Sequence, residues 1–278
     1  MYNSFNEKGI APDLRVGRLY IFMEPIKNYR KFTKTVCRSR GLVHDLIVTR
    51  KGRTITLWSA AGIRHTVFDS EAPHLPGLEY ARNMLAALAF CPQARSCLVL
   101  GLGGGSIPRM LVTACPQIEM EAVEIDPAVV ELASRYFDIR ALPRFKIHLE
   151  DAAGFLKRCH SQYGVVIVDT YLGEHFPDQC ATEEFIRDTR QCMRDDGVLA
   201  VNWLSGDPQK RKDLIKRLES IVGSVWELPG TKSRNIIFFA SARKIERPEI
   251  ISAAAAVKTE IPFENSLKQL VQRLRNPK

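Results

Sequence analysis

The sequence predicts an α/β protein with a doubly wound parallel sheet and a small β-rich domain ahead of it. Strands and helices alternate from Leu78 to Val222 at roughly 20 to 30 residues per unit, which is typical of such a sheet. The run Cys97 to Leu100 is apolar on both faces, as a parallel strand covered on both sides must be. Upstream, Val16 to Asp69 shows short strand patterns instead.

Composition excludes several classes of protein. The chain has 278 residues, 45% hydrophobic and 26% charged, which excludes disordered and fibrous classes. Its longest apolar runs, Cys97 to Leu102 and Gly197 to Val201, are far shorter than the ~20 residues of a membrane helix. Met1 to Pro12 lacks the apolar core of a secretory signal. We therefore expect a cytoplasmic protein that does not span a membrane.

The cysteines and histidines predict neither disulfides nor a metal site. The seven cysteines include no C-x-x-C pair, and several lie inside apolar patterns. The six histidines are dispersed. We expect reduced core thiols and no bound metal.

The first elements form the small β domain. The strands are predicted at Arg18 to Met23, Val43 to Thr49, Thr54 to Ser59 and His65 to Phe68, with Lys51-Gly52 as the hairpin turn. Two prolines and a glycine between 72 and 77 then break the pattern. The predicted division is a flexible N-terminus (1–15), a β-rich domain (16–75), a nucleoside-binding domain (76–243) and a helical tail (244–278).

The second domain opens with an amphipathic helix, Leu78 to Phe90. Its later strands are predicted at Met120–Ile125, Phe145–Leu149, Val165–Asp169 and Val198–Trp203, closed by the pair Val225–Leu228 and Ile236–Ser241. Its later helices are predicted at Pro127–Phe137, Ala152–His160, Thr182–Arg194 and Pro208–Val222, with a last amphipathic stretch at Leu267–Leu274.

A glycine-rich turn follows the first buried strand. A dinucleotide fingerprint, G-x-G-x-x-G/A, fails here, because its last position falls on Ser106 or Pro108. What fits is G-x-G-x-G at Gly101, Gly103 and Gly105, the form found in folds that bind S-adenosylmethionine. Glycines let a ligand approach the backbone closely. We expect Ser106 to cap the following helix and Pro108 to lie in its first turn.

Three acids end successive strands. They are Glu124, Asp151 and Asp169, and in a parallel sheet their ends meet at the crevice where ligands bind. Glu124 suits the two ribose hydroxyls, and Asp151 with the Ala152 N–H suits an adenine edge. For Asp151 alone, a helix N-cap is an equally good interpretation. Asp126, before Pro127, is read as a cap.

From Val43 to Ser241 the chain resembles the spermidine synthase (polyamine aminopropyltransferase) family, within the Rossmann-like fold of S-adenosylmethionine-dependent methyltransferases. The matching motifs are Leu98 to Ser106, Ala122 to Pro127, Glu150 to Ala152 with Phe155-Leu156, and Tyr163 to Asp169. The resemblance implies an aminopropyl donor, decarboxylated S-adenosylmethionine, a small amine acceptor and a homodimer. It also implies a set of donor-binding residues: Gly103, Gly104, Gly105, Glu124, Asp151, Ala152, His65 in place of a family glutamine, and Tyr80.

Two departures from the family touch the chemistry. The family's G-G-G-D motif places an aspartate on the substrate amine, and this chain has Ser106 there. The family's D-x-x-D motif ends in the catalytic base, and this chain has Leu172 there. Asp169 is then the best candidate base, ahead of Glu174 and His175 on the following loop. Tyr171 is expected to close over the reacting group.

The missing acids leave a second function open. Methyl transfer from S-adenosylmethionine mainly needs in-line placement of donor and acceptor. Ser106, with Arg109 one helical turn further on, would suit the carboxylate of that donor. Solvent exposure is the alternative interpretation of Arg109. A third possibility is a nucleoside-binding protein without catalysis.

Charge is distributed unevenly along the chain. Between Lys27 and Arg53, nine Lys or Arg residues stand against Asp45 alone. This basic patch could face a nucleic acid, although a solvated face is favoured because no nucleic-acid motif accompanies it. Residues 151–196 hold nine acids against five bases, which favours an acidic crevice for a polycation. The alternative is that many of these acids lie on the solvated outer face of a helix.

Overall fold

The computed structural model describes residues 33–171, 176–204, 206–257 and 267–277. Within them the chain forms a four-stranded antiparallel sheet followed by a seven-stranded mixed sheet with helices on both faces. The predicted fold class is confirmed. The predicted strand Arg18 to Met23 and the N-terminal segment 1–15 lie outside the described residues.

The small sheet has the order β1-β2-β3-β4. Its strands are β1 (Lys34–Arg40), β2 (Asp45–Lys51), β3 (Thr54–Ser59) and β4 (Arg64–Asp69). The prediction for β3 is confirmed in full, and β2 begins two residues later than predicted. Strand β1 was not predicted from the sequence, since four of its seven residues are Lys, Arg or Ser, which hide the alternation.

The large sheet has the order β10-β11-β9-β8-β5-β6-β7. Its strands are β5 (Ser96–Leu100), β6 (Glu119–Glu124), β7 (Phe145–Leu149), β8 (Tyr163–Val168), β9 (Met193–Trp203), β10 (Ser224–Pro229) and β11 (Ile236–Ser241). Strands β5 to β9 are parallel, and β11 and β10 add to β9 in antiparallel pairs. The chain order turns back beside β5, where such sheets place their ligand crevice.

The helices are α1 (Glu79–Asn83), α2 (Ala87–Phe90), α3 (Ser106–Ala114), α4 (Pro127–Tyr136), α5 (Ala152–Lys157), α6 (Glu183–Gln191), α7 (Pro208–Ile221), α8 (Arg247–Ala256) and α9 (Leu267–Gln272). A 3₁₀ turn joins α1 to α2, so the predicted helix Leu78 to Phe90 is present in three pieces. The predicted helix Thr182 to Arg194 was too long. Its last residues enter β9, where Met193 already pairs with Tyr163.

Apolar side chains cover both faces of the large sheet, as the unbroken strand patterns predicted. Cys97 and Val99 of β5 join the core beneath α1 to α3, and Leu98 and Leu100 join the core beneath α5 to α7. A third core joins the small sheet to α4, where Phe68 and Phe137 meet edge to face with ring centroids 5.9 Å apart. This packing holds the small sheet beside the carboxyl ends of the parallel strands.

All seven cysteines are free thiols, and six of them are buried. The burial of these six agrees with their predicted place in the core. Among the described residues, no helix is both long and apolar enough to cross a bilayer.

Candidate functional site

The turn from β5 into α3 brings the backbone against other parts of the chain. Gly101 has φ +96°, and a Cβ at this position would lie closer than 3.0 Å to the Asp169 carbonyl oxygen. Gly105 has φ +73° and is the N-cap of α3. A side chain at Gly105 would collide with Ile139. Both positions therefore require glycine, because of backbone conformation and close packing together.

Three expectations for this turn need correction. Gly104 and Gly105 face protein and lie outside the described lining of the cavity: Gly104 N donates to Thr66 Oγ1 over 2.7 Å, and Gly105 packs on Ile139. Ser106 is the first helical residue and makes no capping hydrogen bond, because Gly105 already occupies the cap position. Gly104 and Gly105 therefore allow β4 and the 139–141 turn to pack closely against this loop.

A cavity of about 480 Å³ lies at the carboxyl ends of the parallel strands, between the two sheets. This volume is in the range of small-molecule sites. It is lined by most of the residues that the sequence singled out: His65, Tyr80, Gly101, Gly103, Glu124, Asp151, Ala152, Asp169 and Tyr171.

Glu124 is held rigidly at the end of β6. Its Oε2 accepts from Leu102 N over 3.0 Å, and its Oε1 accepts from Asp126 N over 3.0 Å. Burial raises its pKa, although these backbone hydrogen bonds act in the opposite direction. A carboxylate has about four acceptor positions. The positions left free can accept from hydroxyl donors such as those of a ribose.

Asp151 caps a helix and also lies in the cavity wall. It is the N-cap of α5, its Oδ2 accepting from Gly154 N over 2.9 Å, and it also lines the cavity beside Ala152. The neighbouring cavity wall is apolar, with Ile125 47% exposed and Val43 48% exposed at its edge. An apolar wall beside a carboxylate suits a planar heterocycle with an amino group.

Asp169 occupies the centre of the site, at the end of β8. Its Oδ2 accepts from Tyr80 Oη over 3.3 Å, and its Oδ1 accepts from Asn202 Nδ2 over 2.7 Å. The pKa of Asp169 is raised to about 7. Burial is the main cause and the nearby charge of Glu124 adds to it, while the hydrogen bonds from Asn202 and Tyr80 act in the opposite direction. A carboxylate that titrates near neutral pH can take up and release a proton under physiological conditions.

Asn202 connects Asp169 to the rest of the cavity wall. Its Oδ1 accepts from Asn235 Nδ2 over 2.9 Å, and its backbone oxygen accepts from Tyr171 Oη over 2.7 Å. The Tyr171 ring meets Phe176 edge to face at 6.0 Å. Tyr171 is thus fixed in the cavity wall. The alternative bases Glu174 and His175, and Leu172, lie outside the described residues.

Two buried polar atoms of cavity-lining residues have no hydrogen-bond partner among the described residues. They are His65 Nε2 and Ser233 Oγ. Burial lowers the pKa of His65. An unpaired buried polar atom is costly, so each of these two atoms needs a partner such as a bound water or a polar ligand group.

A side cavity of about 20 Å³ opens beside His65, Ser106 and Asp169. Its volume is that of a single water or similarly small group, and among the two cavities Ser106 lines only this one. Asp169 lines both cavities and is the only carboxylate among the described residues of the smaller one. The side cavity thus brings Ser106, which stands where the family pattern has an aspartate, beside Asp169.

Arg109 was expected either to bind a donor carboxylate or to be exposed to solvent, and it does neither. It is neither exposed nor directed into the cavity: its Nη2 donates to the Phe137 carbonyl and its guanidinium lies over the Phe68 ring, 4.8 Å from the centroid. Burial lowers the pKa of Arg109 to about 10. It stabilises the joint between α3 and the small sheet, and it is not available to a donor carboxylate in the cavity.

The cavity lining is acidic, but most of its carboxylates lie outside residues 151–196: Glu79, Glu124, Asp126 and Glu150. Of the nine acids in 151–196, the cavity lining contains only Asp151 and Asp169 among the described residues. Most of the others form surface ion pairs: Lys157–Glu184, Arg187–Glu183, Arg190–Asp195, Arg194–Asp196 and Lys210–Asp178. These acids lie on the solvated surface, as the alternative interpretation of the segment expected.

Sequence reasoning missed Asn202, Asn235, Ser233 and Glu79 of the cavity wall. Asn202 carried a usable signal, because a buried polar residue in the apolar run from Val198 to Trp203 requires a partner. The other three carried none: Ser233 and Asn235 reach the cavity only through the loop between β10 and β11, and Glu79 is one acid in the first turn of an amphipathic helix.

Comparison with known proteins identifies a matching family. Residues 79–227 match the family model of the spermine/spermidine synthase domain. The polyamine aminopropyltransferase of Vibrio vulnificus is 37% identical over 129 residues, which cover 45% of this chain and 43% of that protein. The polyamine aminopropyltransferase of Neisseria meningitidis serogroup A is 33% identical over 168 residues, covering 59% of this chain and 63% of that protein. The chain thus spans less than two thirds of these relatives.

Methyltransferases are also similar. The eEF1A lysine and N-terminal methyltransferase homolog of Drosophila melanogaster is 28% identical over 162 residues, covering 55% of this chain and 24% of that protein. Two solved structures share the fold. A spermidine synthase in complex with the transition state analogue AdoDATO has a TM-score of 0.68 at 16% identity, covering 87% of this chain and 85% of that one. Human methyltransferase-like protein 13 in complex with SAH has a TM-score of 0.61 at 21% identity, covering 72% and 96%.

Proposed function

The chain belongs to the spermine/spermidine synthase family, and we propose that it transfers an aminopropyl group from decarboxylated S-adenosylmethionine to a polyamine-type amine. The observation that carries this proposal is the setting of Asp169. Its carboxylate lies at the centre of the cavity, between Tyr80 and Asn202, with a pKa raised to about 7. A base with this pKa matches an amine nucleophile that must lose a proton near neutral pH.

The proposed reaction balances without any further reactant. The neutral amine attacks the carbon next to the sulfonium, a new C–N bond forms, and the C–S bond breaks with its electron pair going to sulfur. Methylthioadenosine leaves, and the proton lost from the amine goes to the Asp169 carboxylate and then to solvent. In the family the catalytic base is the aspartate at the position that Leu172 occupies here. We propose that Asp169 acts as the base instead.

We assign the donor to the wall nearest the glycine turn. Glu124 would bind the ribose, Asp151 with Ala152 N–H would bind adenine, and Gly101 with Gly103 would lie along the thioether. The partnerless atom of His65 and the hydroxyl of Tyr80 supply further polar contacts there. Gly104 and Gly105 would shape the turn, and Ser106 would border the transferred chain.

The acceptor amine belongs to the opposite wall. Tyr171, Asn202, Asn235 and Ser233 line it, and the partnerless Ser233 hydroxyl can accept a hydrogen bond from an ammonium or amine.

Methyl transfer is the second candidate, favoured by one observation. Ser106 stands where a family aspartate would repel the carboxylate of S-adenosylmethionine. The burial of Arg109 away from the cavity weighs against it, because the cation expected to hold that carboxylate is committed elsewhere. A nucleoside-binding protein without turnover is the third.

Calorimetric titration distinguishes these functions. Purified protein is titrated with S-adenosylmethionine, with its decarboxylated form and with methylthioadenosine. Tighter binding of the decarboxylated donor, followed by turnover with putrescine or spermidine, supports aminopropyl transfer. Preference for the carboxylated donor would instead favour methyl transfer, and binding without turnover would favour the third function.

We also propose that the chain acts in the cytoplasm as a homodimer, as the resemblance implies. Nucleic-acid binding by the basic patch is not favoured. In its described part, Arg53 is already paired with Asp69 at 2.9 Å and Glu71 at 2.6 Å. Lys27, Arg30 and Lys31 lie outside the described residues.

A further inference from the structure

Glu79 binds the loop between β10 and β11. Its Oε1 accepts from Thr231 N over 2.7 Å and from Thr231 Oγ1 over 2.5 Å, and its Oε2 accepts from Lys232 N over 2.7 Å. Arg273 lies 3.9 Å away, and the Glu79 side chain is only 11% exposed. Burial alone would raise the pKa of Glu79, but these hydrogen bonds lower it to about 2. Glu79 therefore remains ionised across the physiological range.

The same loop carries Asn235. Gly230 N donates to the Asn235 carbonyl over 2.8 Å, which closes the loop at its base. Asn235 Nδ2 donates to Asn202 Oδ1 over 2.9 Å, and Asn202 Nδ2 donates to Asp169 Oδ1 over 2.7 Å. Because Asn235 occupies the carbonyl oxygen of the Asn202 amide, the amide must present its N–H to Asp169. A flipped amide would place oxygen against oxygen.

These contacts form a closed ring. Glu79 precedes Tyr80 on α1, and Tyr80 donates to the second oxygen of Asp169. One helix thus supplies one hydrogen bond to Asp169 directly and holds the loop that orients the other donor.

We propose that Glu79 is a positioning residue for the reaction, which acts through the β10–β11 loop and Asn235 to keep the Asn202 amide donating to Asp169. The proposal rests on the proposed function for its catalytic consequence. Its structural part is the orientation of the Asn202 amide, which does not depend on what the substrate is. Glu79 itself is not expected to touch the reacting atoms, because both of its oxygens are engaged by the loop.

Several charged or titratable groups face Asp169. Tyr80 comes from α1, Tyr171 from its own loop and Glu124 from β6. His65 of β4 and Lys232 of the β10–β11 loop line the shared cavities. None of these residues is substituted in a Glu79→Gln variant, although Lys232 lies on the loop that the variant loosens. Loss of the Glu79 charge from the cavity wall would by itself lower the Asp169 pKa, so an upward shift in that variant would come from the loop.

The pH dependence of turnover tests the proposal. Glutamine keeps the size of Glu79, but its single carbonyl oxygen cannot accept from both Thr231 and Lys232, so an NH₂ group faces one backbone N–H donor and the loop loses an anchor. Loss of one hydrogen bond to the charged form of Asp169 should move the acid limb of the kcat profile upward by about 1 to 2 pH units. At neutral pH, kcat should fall roughly tenfold while the KM for the donor stays within about twofold.

The route through Asn235 is tested by combination. Asn235→Ala should give the same shift, and the Glu79→Gln/Asn235→Ala variant should show no further one, because both act on one contact. The single Asn235 variant also tests the route should Glu79→Gln fail to fold. Glu249→Gln is the matched control, since Glu249 pairs with Arg243 on the surface, 49% exposed. It should leave the profile unchanged.

Two readouts do not depend on turnover. Hydrogen exchange at the Thr231 and Lys232 amides should accelerate at least tenfold in Glu79→Gln, and NMR titration of the Asp169 carboxyl should show the upward pKa shift. Faster exchange with an unshifted Asp169 would overturn the proposal. If the exchange accelerates and the Asp169 pKa shifts, but the chain transfers no aminopropyl group, the positioning role stands. Only the proposed function is then rejected.

Discussion

Tyr80 Oη donates a hydrogen bond of 3.3 Å to Asp169 Oδ2 across the cavity. The two residues are 89 positions apart, one on the first helix after the small sheet and the other at the end of β8. Their contact joins the predicted donor-binding tyrosine to the only carboxylate that lines both cavities among the described residues. The protonation of Asp169 is therefore the property of the site from which most predictions follow.

The first prediction concerns pH. Since Asp169 must be ionised to act as a base and its pKa is raised to about 7, kcat should rise through pH 7 and level off about one unit above it. Tyr80→Phe removes a hydrogen bond that favours the charged form, so the rise should move to higher pH. A kcat profile from pH 5.5 to 9.5 measures both. A Tyr80→Phe profile that coincides with the wild type would contradict this role of Tyr80.

Stability provides the second prediction. The folded chain holds the Asp169 proton more tightly than the unfolded chain, where the carboxyl has its ordinary pKa of 3.8. Ionisation of Asp169 thus lowers the free energy of unfolding. This loss is absent below about pH 4, grows as the pH rises, and is complete above about pH 7. Asp169→Asn should raise the melting temperature at pH 8 by about 3 °C or more. Calorimetry at pH 8 and pH 5 should show the difference shrinking at the lower pH.

The third prediction concerns Ser106. Restoring an acid beside the side cavity should attract the ammonium of the aminopropyl chain, so Ser106→Asp should tighten binding of the decarboxylated donor by about tenfold. Methylthioadenosine lacks that ammonium, and its affinity should change by less than about twofold. Titration calorimetry measures both ligands. Equal gains for both would show that the new carboxylate acts elsewhere in the site.

The fourth prediction separates packing from backbone strain. Gly105 has φ +73° and lies against Ile139, whereas Gly52 has φ +56° with open space around it. Gly52→Ala should cost about 1 kcal/mol of unfolding free energy through backbone strain alone. Gly105→Ala should cost about 3 kcal/mol or more, since overpacking adds to the strain. Urea unfolding of the two variants gives the comparison, and equal costs would reject the packing argument.

Sequence patterns predicted the fold well because the parallel strands are covered on both faces and leave unbroken apolar runs. Helix and strand ends were less accurate, as at β9, where pairing with Tyr163 extends the strand into a helical pattern. The glycine motif was recognised from the sequence, but the explanation of why glycine is required at each position was incomplete. Gly104 and Gly105 are constrained by Thr66 and Ile139, two partners that only the tertiary structure reveals.

The acids at the strand ends could be predicted because strand order alone brings Glu124, Asp151 and Asp169 to one edge. The groups that tune Asp169 could not. Asn235 reaches Asn202 only because β11 pairs antiparallel with β9, which places Ile237 opposite Asn202. Arg109 shows the opposite limit, since an arginine near a glycine turn suggests an anion site until its neighbours Phe68 and Phe137 are known.

Product analysis tests the central claim most directly. The protein is incubated at pH 8 with putrescine and either decarboxylated or ordinary S-adenosylmethionine, and the products are identified by mass spectrometry in the wild type and in Asp169→Asn. We predict equal amounts of methylthioadenosine and aminopropylated amine from the decarboxylated donor, with a rate at least 100-fold lower in Asp169→Asn. Methylated amine from the ordinary donor, or an undiminished rate in Asp169→Asn, would contradict the assignment.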